Sequence, residues 1–432
     1  MQILIHGGRL INPGRIDGFR DILIDNGEIV QIAAGGKLLN LPADAGERTT
    51  RLINATGKII TPGLIDMHVH LREPGFEYKE TIASGCRAAV AGGFTAVCAM
   101  PNTNPVNDSP ETTAFMIAKA RAAGLARVYP AGAITRGLSG KTLCDFSALQ
   151  AAGAVAFTDD GCPVESDDMM EAALEAVGKL NLTIISHSEM MDLAGQGAMN
   201  QGPVADRLGW AGIPNTAESV MVEREIALSE KTGARMHIAH VSAAESVDAI
   251  RRAKQRGVPV TAETAPHYFT LTDAAVEKYG TRAKMNPPLR SEKDREAIQQ
   301  GLADDTIDVI ATDHAPHSAA EKAALFPQAP NGITGLETAL PLSLQLVADG
   351  ILTLEALVAK MTTNPAGVLG VSTGLGLGRP ADITIIDPEV EYKVGPESFH
   401  SKSGNSPFIG WHLQSRADTT IVDGRIVYER QS

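Results

Sequence analysis

The chain has 432 residues, 44% hydrophobic and 21% charged, a mix that packs a core and excludes intrinsic disorder as the main state. Its 38 Lys and Arg against 51 Asp and Glu leave a net charge of −13, and so acidic a surface argues against nucleic acid as the main partner. Four cysteines (Cys86, Cys98, Cys144 and Cys162), none in a C-x-x-C pair, exclude a disulfide scaffold and read as buried or idle thiols of a reducing cytoplasm.

The chain opens MQILIHGGRLINPG, which reads as a strand and a turn rather than a basic-then-apolar leader. Residues 1–57 then hold DILIDNGEIVQI, two alternating stretches around Asn26-Gly27, a strong hairpin signal. Beyond them, apolar runs at 59–65, 94–99, 127–132, 154–158, 182–186, 235–239, 258–262 and 307–312 alternate with segments of helical spacing such as YKETIASGCRAAVAGG. Short strands buried on both faces and separated by helices signal parallel β/α units, and eight of them close into a (β/α)8 TIM barrel. A doubly wound sheet is the alternative, and it lacks a nucleotide fingerprint. Residues 137–142 have two residues between their glycines where a phosphate loop needs four, and residues 374–378 lack a following helix and read as a linker.

Residues 371–432 contain ADITIID and TTIVDGRIVYE, the second a hairpin around Asp423-Gly424. We expect one small β-sandwich-like domain assembled from 1–57 and 371–432, with a barrel of residues 58–370 inserted between them; two separate β appendages would give the same pattern. No apolar run reaches the ~20 residues of a membrane span, so a soluble cytoplasmic protein without a membrane partner is expected.

The chemistry-bearing residues follow the apolar runs. His68 and His70 lie two apart at the first strand's end, so alternation turns both imidazoles to one side, an arrangement that suits a divalent metal such as zinc. The fourth strand ends in Thr158-Asp159-Asp160, the fifth in Ser186-His187-Ser188-Glu189, the sixth at His240 and the eighth in Thr312-Asp313-His314. In a barrel these ends meet on one face. Four histidines and two aspartates exceed the ~4 ligands of one tetrahedral zinc, and a carboxylate can bridge two ions ~3.5–4 Å apart. We therefore expect two zinc ions per subunit. His68, His70 and Asp313 would serve one, His187 and His240 the other, with Asp160 and a hydroxide between them. Asp313 would take the hydroxide's proton and return it to the leaving group. The Ala- and Pro-rich span 318–331 reads equally as a mobile lid or an ordered surface loop.

Four stretches carry a resemblance. Asp66-Met67-His68-Val69-His70-Leu71-Arg72-Glu73-Pro74-Gly75, Met100-Pro101-Asn102-Thr103-Asn104-Pro105, Lys284-Met285-Asn286-Pro287-Pro288-Leu289-Arg290 and Ala311-Thr312-Asp313-His314-Ala315-Pro316-His317 together resemble the bacterial type I dihydroorotases of the amidohydrolase superfamily. The likeness runs from the opening strand to Pro407-Phe408-Ile409-Gly410. It implies metal ligation by His68, His70, Asp160, His187, His240 and Asp313, and substrate contacts from His70, Arg72, Asn102, Asn286, His317 and the backbone at Asn331-Gly332. The family commonly has an aromatic residue where this chain has Asn331.

The implied activity is the reversible, zinc-dependent cyclisation of N-carbamoyl-L-aspartate to L-dihydroorotate in pyrimidine synthesis. The implied assembly is a homodimer, with association with aspartate transcarbamoylase a further possibility of the family. Arg72 suits the substrate carboxylate, Asn102 and His317 would add orienting donors, and Asn286 offers a donor and an acceptor to the ring's edges. Two zinc ions facing two aspartates and a hydroxide, with Arg72 beside them, make a positive pocket in an acidic protein. Hydantoinases and allantoinases share the fold but bridge their metals with a carboxylated lysine, which the fourth strand here lacks. A non-catalytic scaffold is the rival of another class, and all six ligand positions are filled.

Overall fold

The computed structural model describes residues 2–38 and 50–431. Eight parallel strands lie side by side in chain order: Leu64–Val69, Phe94–Ala99, Arg127–Gly132, Ala156–Phe157, Thr183–Ser186, Met236–Ile238, Val260–Thr264 and Val309–Ile310. The ring closes where Val69 bridges His314 and the His70 N–H donates to the His314 carbonyl at 2.9 Å. This is the expected (β/α)8 barrel. Its interior is filled by small and medium apolar side chains, among them Ile65, Met67, Ala96, Cys98, Ala131, Ala156, Ile185 and Val309. Outside it, helices begin at side-chain caps: Thr81 and Ser84 form a capping box on Ile82–Ala91, and Ser109 caps Pro110–Ala123, whose proline sits in the first turn where no N–H is missed.

The first apolar run divides. Ile59–Pro62 pairs with Ile383–Lys393 outside the barrel, and only Leu64–Val69 enters it. Gly63 marks the crossing; a Cβ there would lie 2.1 Å from Thr95 Oγ1. Asp66 to Val69 consequently lie inside the first barrel strand rather than after it, with His70 the first residue beyond. The barrel seam is stitched by Asp66, whose buried carboxylate accepts from the Thr312 N–H at 3.1 Å, Thr312 Oγ1 at 2.5 Å and the His68 N–H at 3.1 Å.

The two chain ends build one sheet. Its strands Gln2–Asn12, Ile16–Asp25, Glu28–Ala34, Thr50–Asn54, Ile59–Pro62, Ile383–Lys393, His412–Val422 and Arg425–Glu429 are mainly antiparallel, with parallel pairing of Gln2–Asn12 to Thr50–Asn54 and Ile59–Pro62. Both expected hairpins form, and Asn26 (φ 52°), Gly27 (φ 89°), Asp423 (φ 49°) and Gly424 (φ 67°) take the left-handed conformations that tight two-residue turns demand. This sheet has its own core of Ile3, Ile5, Leu10, Ile22, Ile24, Ile383 and Ile385. The linker containing Gly374–Gly378 runs along it: the Leu375 carbonyl accepts from Asn12 Nδ2 at 2.9 Å, and the Gly378 N–H donates to the Ile29 carbonyl at 2.8 Å. No helix among the described residues is long and apolar enough to cross a membrane.

Residues 318–331 are built into the barrel mouth. The Phe326 ring stacks on Trp210 with centroids 4.2 Å apart. Lys284 Nζ donates to the carbonyls of Pro327 (3.0 Å) and Ala329 (2.7 Å), and Lys322 Nζ donates to that of Pro330 (2.9 Å). Burial first, and then the neighbouring Lys284 charge, bring the Lys322 ammonium down to about 7. In the unfolded chain a lysine holds its proton to ~10.4. Between about pH 7 and pH 10 the unfolded chain therefore binds more protons, and stability rises with pH. Urea midpoints of the wild type and Lys322→Met at pH 7 and pH 9 test this. The rise between the two pH values should be larger in the wild type; equal rises would contradict it.

Candidate active site at the barrel mouth

Each histidine of the mouth is aimed by what holds its second nitrogen. His68 Nδ1 lies 2.6 Å from Glu263 Oε1 on the seventh strand, and Glu263 also contacts His237 Nε2 at 3.3 Å. A carboxylate only accepts, so His68 keeps its proton on Nδ1. Its Nε2 is then buried without a hydrogen-bond partner, 3.4 Å from Asp160 and 3.7 Å from Asp313. His70 repeats the arrangement: Nδ1 lies 2.9 Å from Asn102 Oδ1, and Nε2 faces Asp313 at 3.1 Å and Asp160 at 3.5 Å. His187 does so with its nitrogens exchanged, Nε2 meeting Glu189 Oε2 at 3.2 Å and Nδ1 facing His240 Nε2 at 2.8 Å and Asp160 at 3.6 Å. His240 Nε2 lies 3.5 Å from Asp160, and its Nδ1 is a second buried nitrogen without a partner.

Imidazole lone pairs and carboxylate oxygens this close repel one another unless a proton or a cation lies between them. Burial disfavours charge on His187, yet the carboxylates of Asp160 and Glu189, which accept hydrogen bonds from its ring, outweigh it and take its pKa to about 10. The field that draws protons onto imidazoles draws a divalent cation as well. Two groups, His68–Asp160–His240 and His68–His70–Asp313, bring donor atoms within 4.8 Å of one another, and all five residues are buried. The donor set therefore fits a metal ion. Three residues of the mouth, Arg72 (φ 62°), His240 (φ 35°) and Asp313 (φ 46°), hold left-handed backbone that costs of order 1–3 kcal/mol each, strain that gathers where geometry serves a site.

The donors open into a cavity of about 270 Å³ lined by Arg72, Asn102, Asn286, His317 and Asn331 together with His70, Asp160, His187, His240 and Asp313. His68 lies behind this wall, fully buried. Arg72 is fixed by its Nε–H to the Pro316 carbonyl (3.2 Å); burial lowers its pKa to about 10, which leaves it charged at neutral pH. His317 is neutral, taken down to about 2 by burial and then by the charges of Arg72 and Lys79. Its Nδ1 accepts from Lys79 Nζ at 3.3 Å, so Nε2 carries the proton and donates to the Asn331 carbonyl at 2.8 Å. The donor expected of His317 is thus already engaged within the protein.

Asn102 is engaged as well, through His70 and through Nδ2 to Asp160 Oδ2 at 3.3 Å. Gly332 lies behind the wall; its N–H donates to the Lys284 carbonyl at 2.9 Å, and a Cβ there would stand 2.5 Å from the Ala315 carbonyl oxygen. Sequence reasoning left Glu189, Glu263 and Lys79 unassigned. The first two carried a signal: Glu189 falls two residues after His187, and Glu263 is a carboxylate within a buried strand, Val260–Thr264.

A family profile described as "Dihydro-orotase-like" matches residues 57–246. Over its whole length the chain is 56% identical to a dihydroorotase of Desulforapulum autotrophicum that it also covers completely. It is 53% identical to one of Syntrophotalea carbinolica, with 99% of each chain covered. The chain belongs to the dihydroorotase family. Among solved structures, an L-hydantoinase (dihydropyrimidinase) of Arthrobacter aurescens superposes with a TM-score of 0.87 at 26% identity, covering 100% of this chain and 96% of that one. A D-hydantoinase (dihydropyrimidinase) of Thermus sp. does so at 0.82 and 25%, covering 99% and 95%. Dihydroorotases and hydantoinases are cyclic amidohydrolases that depend on metal, and the mouth described here holds groups able to bind one.

Proposed function

We propose that this chain interconverts L-dihydroorotate and N-carbamoyl-L-aspartate, the ring-closing step of pyrimidine synthesis, in the cytoplasm and as a homodimer. Its small-molecule substrate enters the cavity at the barrel mouth. The reading rests on one observation above all: six donors, His68, His70, Asp160, His187, His240 and Asp313, converge with no lysine beside them and with a charged guanidinium on the same wall. That donor set suits two zinc ions: His68, His70 and Asp313 would hold one and His187 and His240 the other, with Asp160 able to serve either. Such ions, when bound, acidify a water and polarise a carbonyl.

The remaining work falls to the chain's own groups. Arg72 binds the ring's carboxylate with a charge-assisted hydrogen bond and sets the ring's orientation. Asp313 accepts the proton of the attacking water on its carboxylate and hands it to the departing ring nitrogen; in the biosynthetic direction the same proton leaves with the water lost from the substrate. Asn102 and His317 act on the substrate through what they hold, His70 and Asn331. The cavity at about 270 Å³ admits one such ring and little bulk water.

Ring opening of dihydroorotate by the purified protein, followed with and without a chelator, tests the proposal. Activity should disappear on chelation and return with Zn²⁺. Activity indifferent to the chelator, or hydrolysis of hydantoin in place of dihydroorotate, would overturn it.

A further inference from the structure

Glu189 stands between a metal-facing histidine and a substrate-facing amide, and one of its oxygens serves both. Oε2 lies 3.2 Å from His187 Nε2 and 2.8 Å from Asn286 Nδ2. The carboxylate is buried, and its Oε2 faces a nitrogen on either side. An oxygen that accepts from both neighbours has no proton to give. His187 presents Nε2–H to it, which leaves Nδ1, on the side of Asp160 and His240, as the nitrogen that would hold a metal. Asn286 presents its NH2, which turns its Oδ1 the other way. That Oδ1 is buried, has no hydrogen-bond partner among the described residues, and belongs to a residue lining the cavity.

We propose that Glu189 is a positioning residue that fixes the tautomer of His187 and the amide orientation of Asn286, so that Asn286 turns its acceptor Oδ1 to the substrate and selects a ring N–H. This deepens the proposed dihydroorotase reading and rests on it. It also narrows the expectation for Asn286, one of whose two N–H donors is spent on Glu189.

Glutamine at 189 keeps one acceptor oxygen for both neighbours, whereas alanine removes it and frees the Asn286 amide to turn over. The probes are dihydroorotate and its two singly N-methylated forms, each measured as substrate or competitive inhibitor, together with zinc per chain after timed exposure to a chelator. In the wild type at least one methylated form should bind about tenfold or more weakly than dihydroorotate, because its methyl leaves Asn286 Oδ1 unpaired. In Glu189→Gln both that ratio and zinc retention should stay near the wild-type level. In Glu189→Ala the ratio should fall at least fivefold and zinc should be lost about ten- to a hundredfold faster, as Asn286 and His187 lose their anchor.

A residue that merely supported the fold would scale all ligands alike and leave the ratio unchanged. An unchanged ratio in Glu189→Ala, or a wild type indifferent to both methylations, overturns the inference. A wild type that neither binds nor turns over dihydroorotate overturns the functional reading instead, and zinc retention in the two variants still decides the part that concerns His187.

Discussion

Replacing Asp313 with alanine should cut kcat by about 10²–10⁴-fold while the purified protein keeps its metal. Asp313 sits at the end of the eighth strand in left-handed backbone (φ 46°), with Oδ1 3.1 Å from His70 Nε2 and 3.7 Å from His68 Nε2. It is the carboxylate best placed to collect a proton at the mouth, since Asp159 is turned away to the backbone N–H groups of Ile134 (2.7 Å) and Thr135 (3.0 Å). Burial raises the Asp313 pKa, but the imidazoles of His68 and His70 beside it outweigh burial and hold it below the usual carboxylate value, so the group is a carboxylate ready to accept. Five of the six converging donors remain in the variant, among them Asp160 at 3.4–3.6 Å from four histidines, which is why metal should stay. Steady-state kinetics and metal analysis on one preparation check both halves. Near wild-type kcat would remove Asp313 from the proton path.

Arg72→Met should raise KM for dihydroorotate about ten- to a hundredfold and change kcat far less. A hydrogen bond to a charged partner contributes about 1.5–3 kcal/mol, and 1.4 kcal/mol is a factor of ten. Among the cations near the cavity, Lys79 is committed to Glu321 at 2.9 Å and to His317 Nδ1, Lys322 and Lys284 are committed to backbone carbonyls, and His317 itself is neutral. Arg72 is therefore the group left to meet the substrate's carboxylate. Lysine at 72 should recover only part of the loss, because a single ammonium cannot reproduce both the Pro316 anchor and a planar grip. The same ring without a carboxylate should show a KM that the substitution scarcely moves. If both substrates lost equally, Arg72 would be holding the Pro316 loop rather than the ligand.

The barrel was legible because its strands are buried on both faces and so appear as unbroken apolar runs. Phe94–Ala99 and Arg127–Gly132 coincide with their runs. The runs at 154–158 and 307–312 contain only Ala156–Phe157 and Val309–Ile310 as regular strand, since ladder hydrogen bonds and not apolar side chains set where pairing stops. The run at 59–65 hid a change of sheet at Gly63 for the same reason.

At the site, the six converging His and Asp residues could be read because strand ends meet on one face. What could not be read was which ring nitrogen each histidine offers. That depends on Glu263, Asn102 and Glu189, 195, 32 and 2 residues away from their histidines. The engagement of His317 was hidden likewise: Lys79 lies in the helix-like segment YKETIAS and meets His317 only across 238 residues of chain.

On the proposed function, this mouth is a two-metal centre selective for dihydroorotate. Metal analysis of the purified protein, combined with turnover of dihydroorotate, hydantoin and allantoin on that same preparation, checks this in one experiment. About two zinc ions per chain and ring opening of dihydroorotate alone are expected. A chain that binds no metal, or one that opens hydantoin or allantoin as readily as dihydroorotate, would contradict it.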